Sequence, residues 1–411
     1  MDLYSTISHQ AMLHTFNCTP CGFQLVIIPH LLKMQAGTIP CQPVLMVQPT
    51  GSGKPSVPLT YFVVDGGLTI IIENTLALGT NQSTKLKSIA SSTSRCYVKS
   101  IHLDSVKKPC QQTPLSKATL KHLQHNHNTS LIVFTSPETL LKSVWIKFVL
   151  KCNDLGFLKL ICIDEIHIFV HCGSSFCSCF QLLNEELFSK VKINNMTSSI
   201  PLLTMTETFN TKLKLLLQKM IGFEFESSNI FWARLSSFRN CHIKIIASYS
   251  KLHFHVMEKQ FSAHLKSHPN HKAILIMNTA ECAIECQSQL DLWLGTSNKL
   301  RGDSVCVVGD RDSELKLTYR SAFTNEPFTN DCDLGNNNTL KPRFLLGTAG
   351  CIGTGLNCCD VHFVVCLGIP TSIINFIQEM GRCGRDITQL KNVECCDTFS
   401  INFCIYNFVY I

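Results

Sequence analysis

The sequence predicts an α/β protein of two tandem domains, each a mostly parallel sheet flanked by helices. Three observations carry that prediction. Short apolar runs of strand length alternate with segments of helix length, the rhythm of a parallel sheet with helical crossovers. The runs form two series. Val44 to Val47, Leu68 to Ile72, Leu131 to Phe134, Leu158 to Ile163 and Pro201 to Thr204 make the first; His242 to Ala247, Ala273 to Met277, Val305 to Val308, Arg343 to Leu346 and Val361 to Leu367 make the second. The clearest helix, Ala280 to Leu294, lies within the second series, and a glycine-rich turn follows the opening run of the first alone. The boundary is expected between residues 222 and 240, giving domains over 1–225 and 226–411, with a nucleotide cleft formed from both.

Bulk properties set limits. A chain of 411 residues with 45% hydrophobic content is ample for two cores. The formal charge of +7 fits a polyanion partner, although no run of Lys or Arg marks a basic tail. No apolar run approaches the roughly 18 to 20 residues that a membrane span requires. The start Met1-Asp2-Leu3-Tyr4-Ser5 lacks a charged-then-apolar leader, so a soluble intracellular chain with no membrane partner is expected. The 23 cysteines are scattered, which predicts reduced thiols serving as small core residues. Cys18 with Cys21, and His171, Cys172, Cys177 and Cys179, come nearest to metal-ligand spacing, yet neither group has the paired spacing of a zinc module.

The segment Gln48-Pro49-Thr50-Gly51-Ser52-Gly53-Lys54 reads as strand, phosphate loop and helix start. Amides from Gly51 to Lys54 would cradle phosphates, while Lys54 adds a point charge on the terminal ones. Position 55 is proline where the pattern wants a hydroxyl for Mg2+. Proline suits the first turn of a helix, so the fold should survive; Ser56, about 100 degrees further round, would point elsewhere. Farther on, Ile161-Cys162-Ile163-Asp164-Glu165-Ile166-His167 is an apolar strand ending in two acids. Asp164 would hold the metal and Glu165 would orient or deprotonate the attacking water. In Gln378-Glu379-Met380-Gly381-Arg382-Cys383-Gly384-Arg385-Asp386, two arginines three residues apart share one helical face and could grip a phosphate.

These segments, in this order, resemble the superfamily 2 helicases, and the last is similar in particular to the RecQ branch. The resemblance spans residues ~20 to 390. It implies two RecA-like domains that use ATP and Mg2+ to move 3′ to 5′ on single-stranded DNA and open duplex DNA. The nucleus is the expected location, with the cytoplasm left open by the sequence. It implies roles for particular residues too. Gln24 would read adenine; Thr50, Gly51, Ser52, Gly53 and Lys54 would hold the phosphates; His167 would relay nucleotide state; and Gln378, Arg382 and Arg385 would reach across the cleft. Asn74, Thr75, Ser136, Asn278, Thr279 and Thr348 would meet the nucleic-acid backbone, although each is also an ordinary helix cap or strand end. Phe176, in the loop His171 to Phe180, would sense single-stranded DNA, but cysteines stand there at the family's usual tryptophan and arginine.

Other departures concern Glu207, in the threonine-rich segment Leu203 to Thr208 where the family has a small residue, and Asn357, where it has aspartate. Gly353 and Gly355 fit the same motif as Asn357 with one residue too many. The alternative reading is therefore a decayed RecQ-like remnant that binds nucleotide or nucleic acid without turnover. An RNA-directed ATPase is a third, which the RecQ-like ending disfavours. The oligomeric state is open.

Overall fold

A strand with no polar residue must be covered on both faces, and β1 (Val44–Val47) is so covered. Leu45 and Val47 pack into one hydrophobic layer while Val44 and Met46 pack into the other. The computed structural model describes residues 2–49, 52–73, 97–105, 109–125, 129–167, 174–191, 200–207, 209–222, 224–232, 241–248, 272–296, 304–309, 319, 322–324, 342–352, 358, 361–368, 379 and 399–406. The chain divides into two units, Met1–Arg234 and Leu235–Ile411.

In the first unit β2 (Gly67–Ile72), β3 (Tyr97–His102), β4 (Thr129–Thr135), β5 (Leu158–Ile163), β6 (Leu202–Thr206) and β7 (Ile230–Trp232) join β1. The order is β3-β4-β2-β5-β6-β1-β7 and every pairing is parallel. Helices cover both faces. On one lie α1 (Leu3–Phe16), α2 (Gln24–Gln35) and α3 (Ser56–Asp65), contributing Met12, Ile28, Leu31 and Phe62. On the other, Trp145, Phe148, Phe180, Leu213 and Leu217 pack from the helices Ser143–Asp154, Ser174–Leu183 and Thr211–Ile221.

The second unit repeats the plan with β8 (Cys241–Ser248), β9 (Lys272–Met277), β10 (Ser304–Val307), β11 (Phe344–Thr348), β12 (Val361–Leu367) and β13 (Phe399–Tyr406). Their order is β10-β11-β9-β12-β13-β8, again all parallel. Ala273, Leu275 and Met277 pack on one side and Ile274 and Ile276 on the other. The helix expected from Ala280 runs to Thr296.

Ten strands fall where the apolar runs place them, and three were not anticipated. β3 carries Lys99, Ser100 and His102 and lies at a sheet edge, where polar residues are tolerated. β7 has only three residues, too few for a periodic signal, and by pairing with β1 it carries the first unit past residue 225. β13 alternates Phe399, Ile401, Phe403 and Ile405 with Ser400, Asn402 and Cys404, a strand-like period of two present in the sequence.

No disulfide occurs among the described residues, and Cys41, Cys152, Cys162, Cys286 and Cys366 are buried, where burial raises their thiol pKa values. Cys18 and Cys21 are exposed in the connection between α1 and α2. Among the described residues no helix is long and apolar enough to cross a membrane.

The turn from α3 into β2 depends on glycine. Gly67 has φ +65°, and a Cβ there would lie 2.6 Å from the Phe157 carbonyl oxygen that accepts from Leu68 N. Gly67→Ala is expected to cost about 1–3 kcal/mol in a denaturant titration; an unchanged midpoint would contradict the contact.

Candidate active site

β5, β6 and β1 are neighbours in a parallel sheet, so the segments that leave their carboxyl ends share one rim. The loop after β1 begins with Gln48, whose N–H donates to Thr206 O at 2.9 Å. Ser52 Oγ donates back to Pro49 O at 2.8 Å, and Gly53 takes φ +87°, which a side chain would strain. Pro55 then sets φ −62° immediately before α3 without needing an N–H donor, so the fold tolerates it as expected. Lys54 is turned inward, 5% exposed, with Nζ donating to Gln48 O at 3.2 Å and to Glu165 Oε1 at 3.3 Å.

Asp164 continues the β5 ladder by donating its N–H to Ile72 O at 2.9 Å. The residue is 4% exposed, and Oδ1 accepts from Glu165 N at 2.9 Å. Glu165 occupies the left-handed region at φ 48°. Its Oε1 meets Lys54 and its Oε2 lies 3.4 Å from His167 Nδ1, which contacts Thr206 Oγ1 at 2.8 Å. The loops after β1, β5 and β6 are thus tied together through side chains.

The electrostatics follow from burial. Desolvation, and then the Glu165 charge, push Asp164 up to about 7, although Lys54 opposes them. For Lys54 burial disfavours the ammonium, but the carboxylates of Glu165, Glu207 and Asp164 outweigh it and the pKa is raised. Glu73, just after β2, is 2% exposed, and among the described residues neither carboxylate oxygen has a hydrogen-bond partner. Burial, Asp164 and Asp104 raise it well above the usual carboxylate range. An acid directly after the apolar run ending at Ile72 is the sequence signal for it.

Gln24 lies against the loop. Its Oε1 accepts from Cys21 N at 2.7 Å, and its Nε2 donates to Ser56 Oγ at 2.7 Å and Gly53 O at 3.3 Å. In this arrangement the amide braces the phosphate loop against the start of α2. A Cβ on Gly53 would sit 3.0 Å from Gln24 Nε2, a second reason for glycine. Ser56 Oγ also donates to Gly53 O at 2.7 Å, so it does point elsewhere and does not replace the hydroxyl missing at Pro55. Gly53, with no side chain of its own, thus leads directly to a buried lysine, and Asp164 is a buried carboxylate on the same rim, of the kind that can hold a cation.

Ser136 caps a short helix and gives both its N–H and its hydroxyl to Asp104, at 2.8 and 2.5 Å. In the second unit Thr279 Oγ1 accepts from Cys282 N at 3.2 Å as a helix cap, beside exposed Asn278 after β9. Thr348 ends the adjacent β11, paired with Met277, so these three share one rim. Glu379, which sequence reasoning left without a role, is 6% exposed and accepts from Cys366 Sγ at 3.0 Å, fixing the residue after Gln378 against β12. Thr50, Gly51, Asn74, Thr75, His171, Cys172, Gly173, Gly353, Gly355, Asn357, Gln378, Arg382 and Arg385 lie outside the described residues, as do the side chains of Phe176 and Cys177.

Comparison with known proteins agrees with this architecture. Residues 22–215 match the DEAD/DEAH box helicase family, and residues 330–386 match the helicase conserved C-terminal domain. The ATP-dependent DNA helicase RecQ of Synechocystis sp. is 23% identical over 361 residues, covering 85% of this chain and 63% of that protein. The chain therefore spans less than two thirds of that relative. The DUF1998 helicase MrfA bound to DNA and AMPPNP superposes with a TM-score of 0.68 at 13% identity, over 100% of this chain and 51% of that one. S. cerevisiae Dbp5 bound to RNA and ADP BeF3 gives 0.60 at 13% identity, over 97% and 86%. Both likenesses establish the fold, two tandem RecA-like domains. The two family matches together take in more than half of the chain, which belongs to the superfamily 2 helicases. Its likeness to RecQ helicases is weak, 23% identical over most of the chain.

The raised Asp164 pKa makes stability depend on pH. A group raised from 3.8 to about 7 by folding contributes stability below the lower value and loses it as pH rises through the upper one. Asp164→Asn is therefore expected to melt higher than the wild type at about pH 8, the gap narrowing toward about pH 5. An equal gap at both would show that Asp164 does not titrate there.

Proposed function

We propose that the chain is an ATP-dependent DNA helicase of RecQ type, coupling ATP hydrolysis to 3′ to 5′ movement on single-stranded DNA and opening of duplexes. The observation that carries this reading is the buried contact of Lys54 with Glu165, which joins the phosphate loop to the acid pair. Mg2+, when bound with ATP, supplies charge neutralisation on the phosphates. Lys54 binds their terminal oxygens, and Glu165, released from Lys54 as phosphate takes its place, orients water and accepts its proton. Asp164 would hold the ion, and Arg382 and Arg385 would stabilise charge on the transferred group. Ser136, Asn278, Thr279 and Thr348 contact the DNA backbone without reading sequence, as translocation demands. A DNA track makes the nucleus the expected place of work.

One observation favours the second reading, a nucleotide- or nucleic-acid-binding remnant. Pro55 provides no hydroxyl for the ion, and Ser56 Oγ is bonded to Gly53 O in the loop itself.

Steady-state ATP hydrolysis with Mg2+ separates the two readings, with Lys54→Ala as the blank. The helicase reading predicts turnover above the blank that rises with single-stranded DNA, and unwinding of a duplex with a 3′ overhang but not a 5′ one. Turnover equal to the blank would overturn it. Pro55→Ser is expected to raise turnover several-fold by restoring the missing ligand; no response would place the defect elsewhere.

A further inference from the structure

Where β5 and β6 end side by side, the rim brings together three side chains that the hydrolysis reading does not use as a set: Glu165, His167 and Glu207. One ligand atom from each lies within 4.8 Å of the other two, and they form the one such group of His, Cys, Asp and Glu among the described residues. Two carboxylates and an imidazole form a mixed oxygen and nitrogen donor set. His167 is 1% exposed, and its Nδ1 is 2.8 Å from Thr206 Oγ1, a contact that orients the ring.

The charge balance around the group argues independently for a cation. The Lys54 ammonium contacts Glu165 and feels the charges of Glu207 and Asp164 as well. Next to Asp164 electrostatically stands Glu73, buried and, among the described residues, with no hydrogen-bond partner for either oxygen. Glu165, Glu207 and Asp164 thus crowd negative charge around Lys54, where burial makes charge costly. A dication here would offset the charges of Glu165 and Glu207 and lower the negative potential on Asp164.

We propose that Glu165, His167 and Glu207 form a divalent-cation site, distinct from the ion carried by a nucleotide, which takes a borderline transition ion such as Mn2+ or Zn2+. Imidazole favours such ions over Mg2+, which prefers an all-oxygen shell. Glu207 makes the site: with a small residue at that position only Glu165 and His167 remain, too few to hold an ion firmly. The site itself stands on the three side chains, whereas its consequence rests on the helicase reading. An ion on Glu165 withholds the carboxylate that water activation needs, so occupancy lowers turnover.

Mn2+ is the suitable probe, because its poor affinity for thiols avoids the chain's many cysteines. Electron paramagnetic resonance titration of the nucleotide-free full chain, in excess Mg2+, should show about one Mn2+ held per chain. Glu207→Ser should weaken it about tenfold or more. Thermal melting without Mn2+ checks that the variant is folded, and added Mn2+ should raise the melting temperature of the wild type alone. No retained Mn2+ in the wild type, or equal retention in Glu207→Ser, overturns the site. Retained, Glu207-dependent Mn2+ in a protein that never hydrolyses ATP would leave the site standing and the helicase reading fallen. Working turnover with no Mn2+ retained would do the reverse.

Discussion

The contact between Lys54 and Glu165 is the constraint on which the rest of the first unit depends. It joins a loop leaving β1 to a turn leaving β5, across the strand β6 that separates them in the sheet. A lysine this deeply buried stays charged only where carboxylates repay its lost hydration. Glu165 does so by contact, and Asp164 and Glu207 do so through their fields. The Lys54 charge and the Glu165 carboxylate thus hold each other on the rim where β1 and β5 end.

Everything near that contact serves its geometry. Gly53 adopts a conformation closed to other residues, and Gln24 fills the space beside it, locking the loop to α2. Glu165 enters the left-handed region, a strained choice that lets its two oxygens face Lys54 and His167. His167 in turn meets Thr206, which ends β6, so the acid turn and the threonine segment are mechanically continuous. The unit accepts a high density of buried carboxyl groups, a cost to stability of the kind expected where chemistry needs charge.

Much of this was legible in the sequence because chemistry restricts residue types at fixed spacing. A glycine turn ending in lysine after an apolar run, and paired acids after another, admit few structural settings, and both appear where predicted. The misdirection of Ser56 followed from helical rotation alone. The engagement of Gln24 was not legible, since it depends on how the connection between α1 and α2 folds over the loop. One acid after a strand, as at Glu73, carries no periodic signal; its significance lies in burial with no hydrogen-bond partner among the described residues. Ser136 was read as a nucleic-acid contact, but its present partner, Asp104, lies 32 residues earlier in the chain, a pairing no local pattern reveals. Short β7 and edge strand β3 escaped for the reason that hides such strands generally: they are held by neighbours more than by their own composition.

The central claim is that Glu165 both restrains Lys54 and performs the water-activating step. Equilibrium ATP binding and turnover by Glu165→Gln, each compared with the wild type in Mg2+, test it most directly. The account predicts tighter ATP binding, because Lys54 loses a competing charge, together with turnover reduced about a hundredfold or more. Weaker binding with undiminished turnover would contradict it.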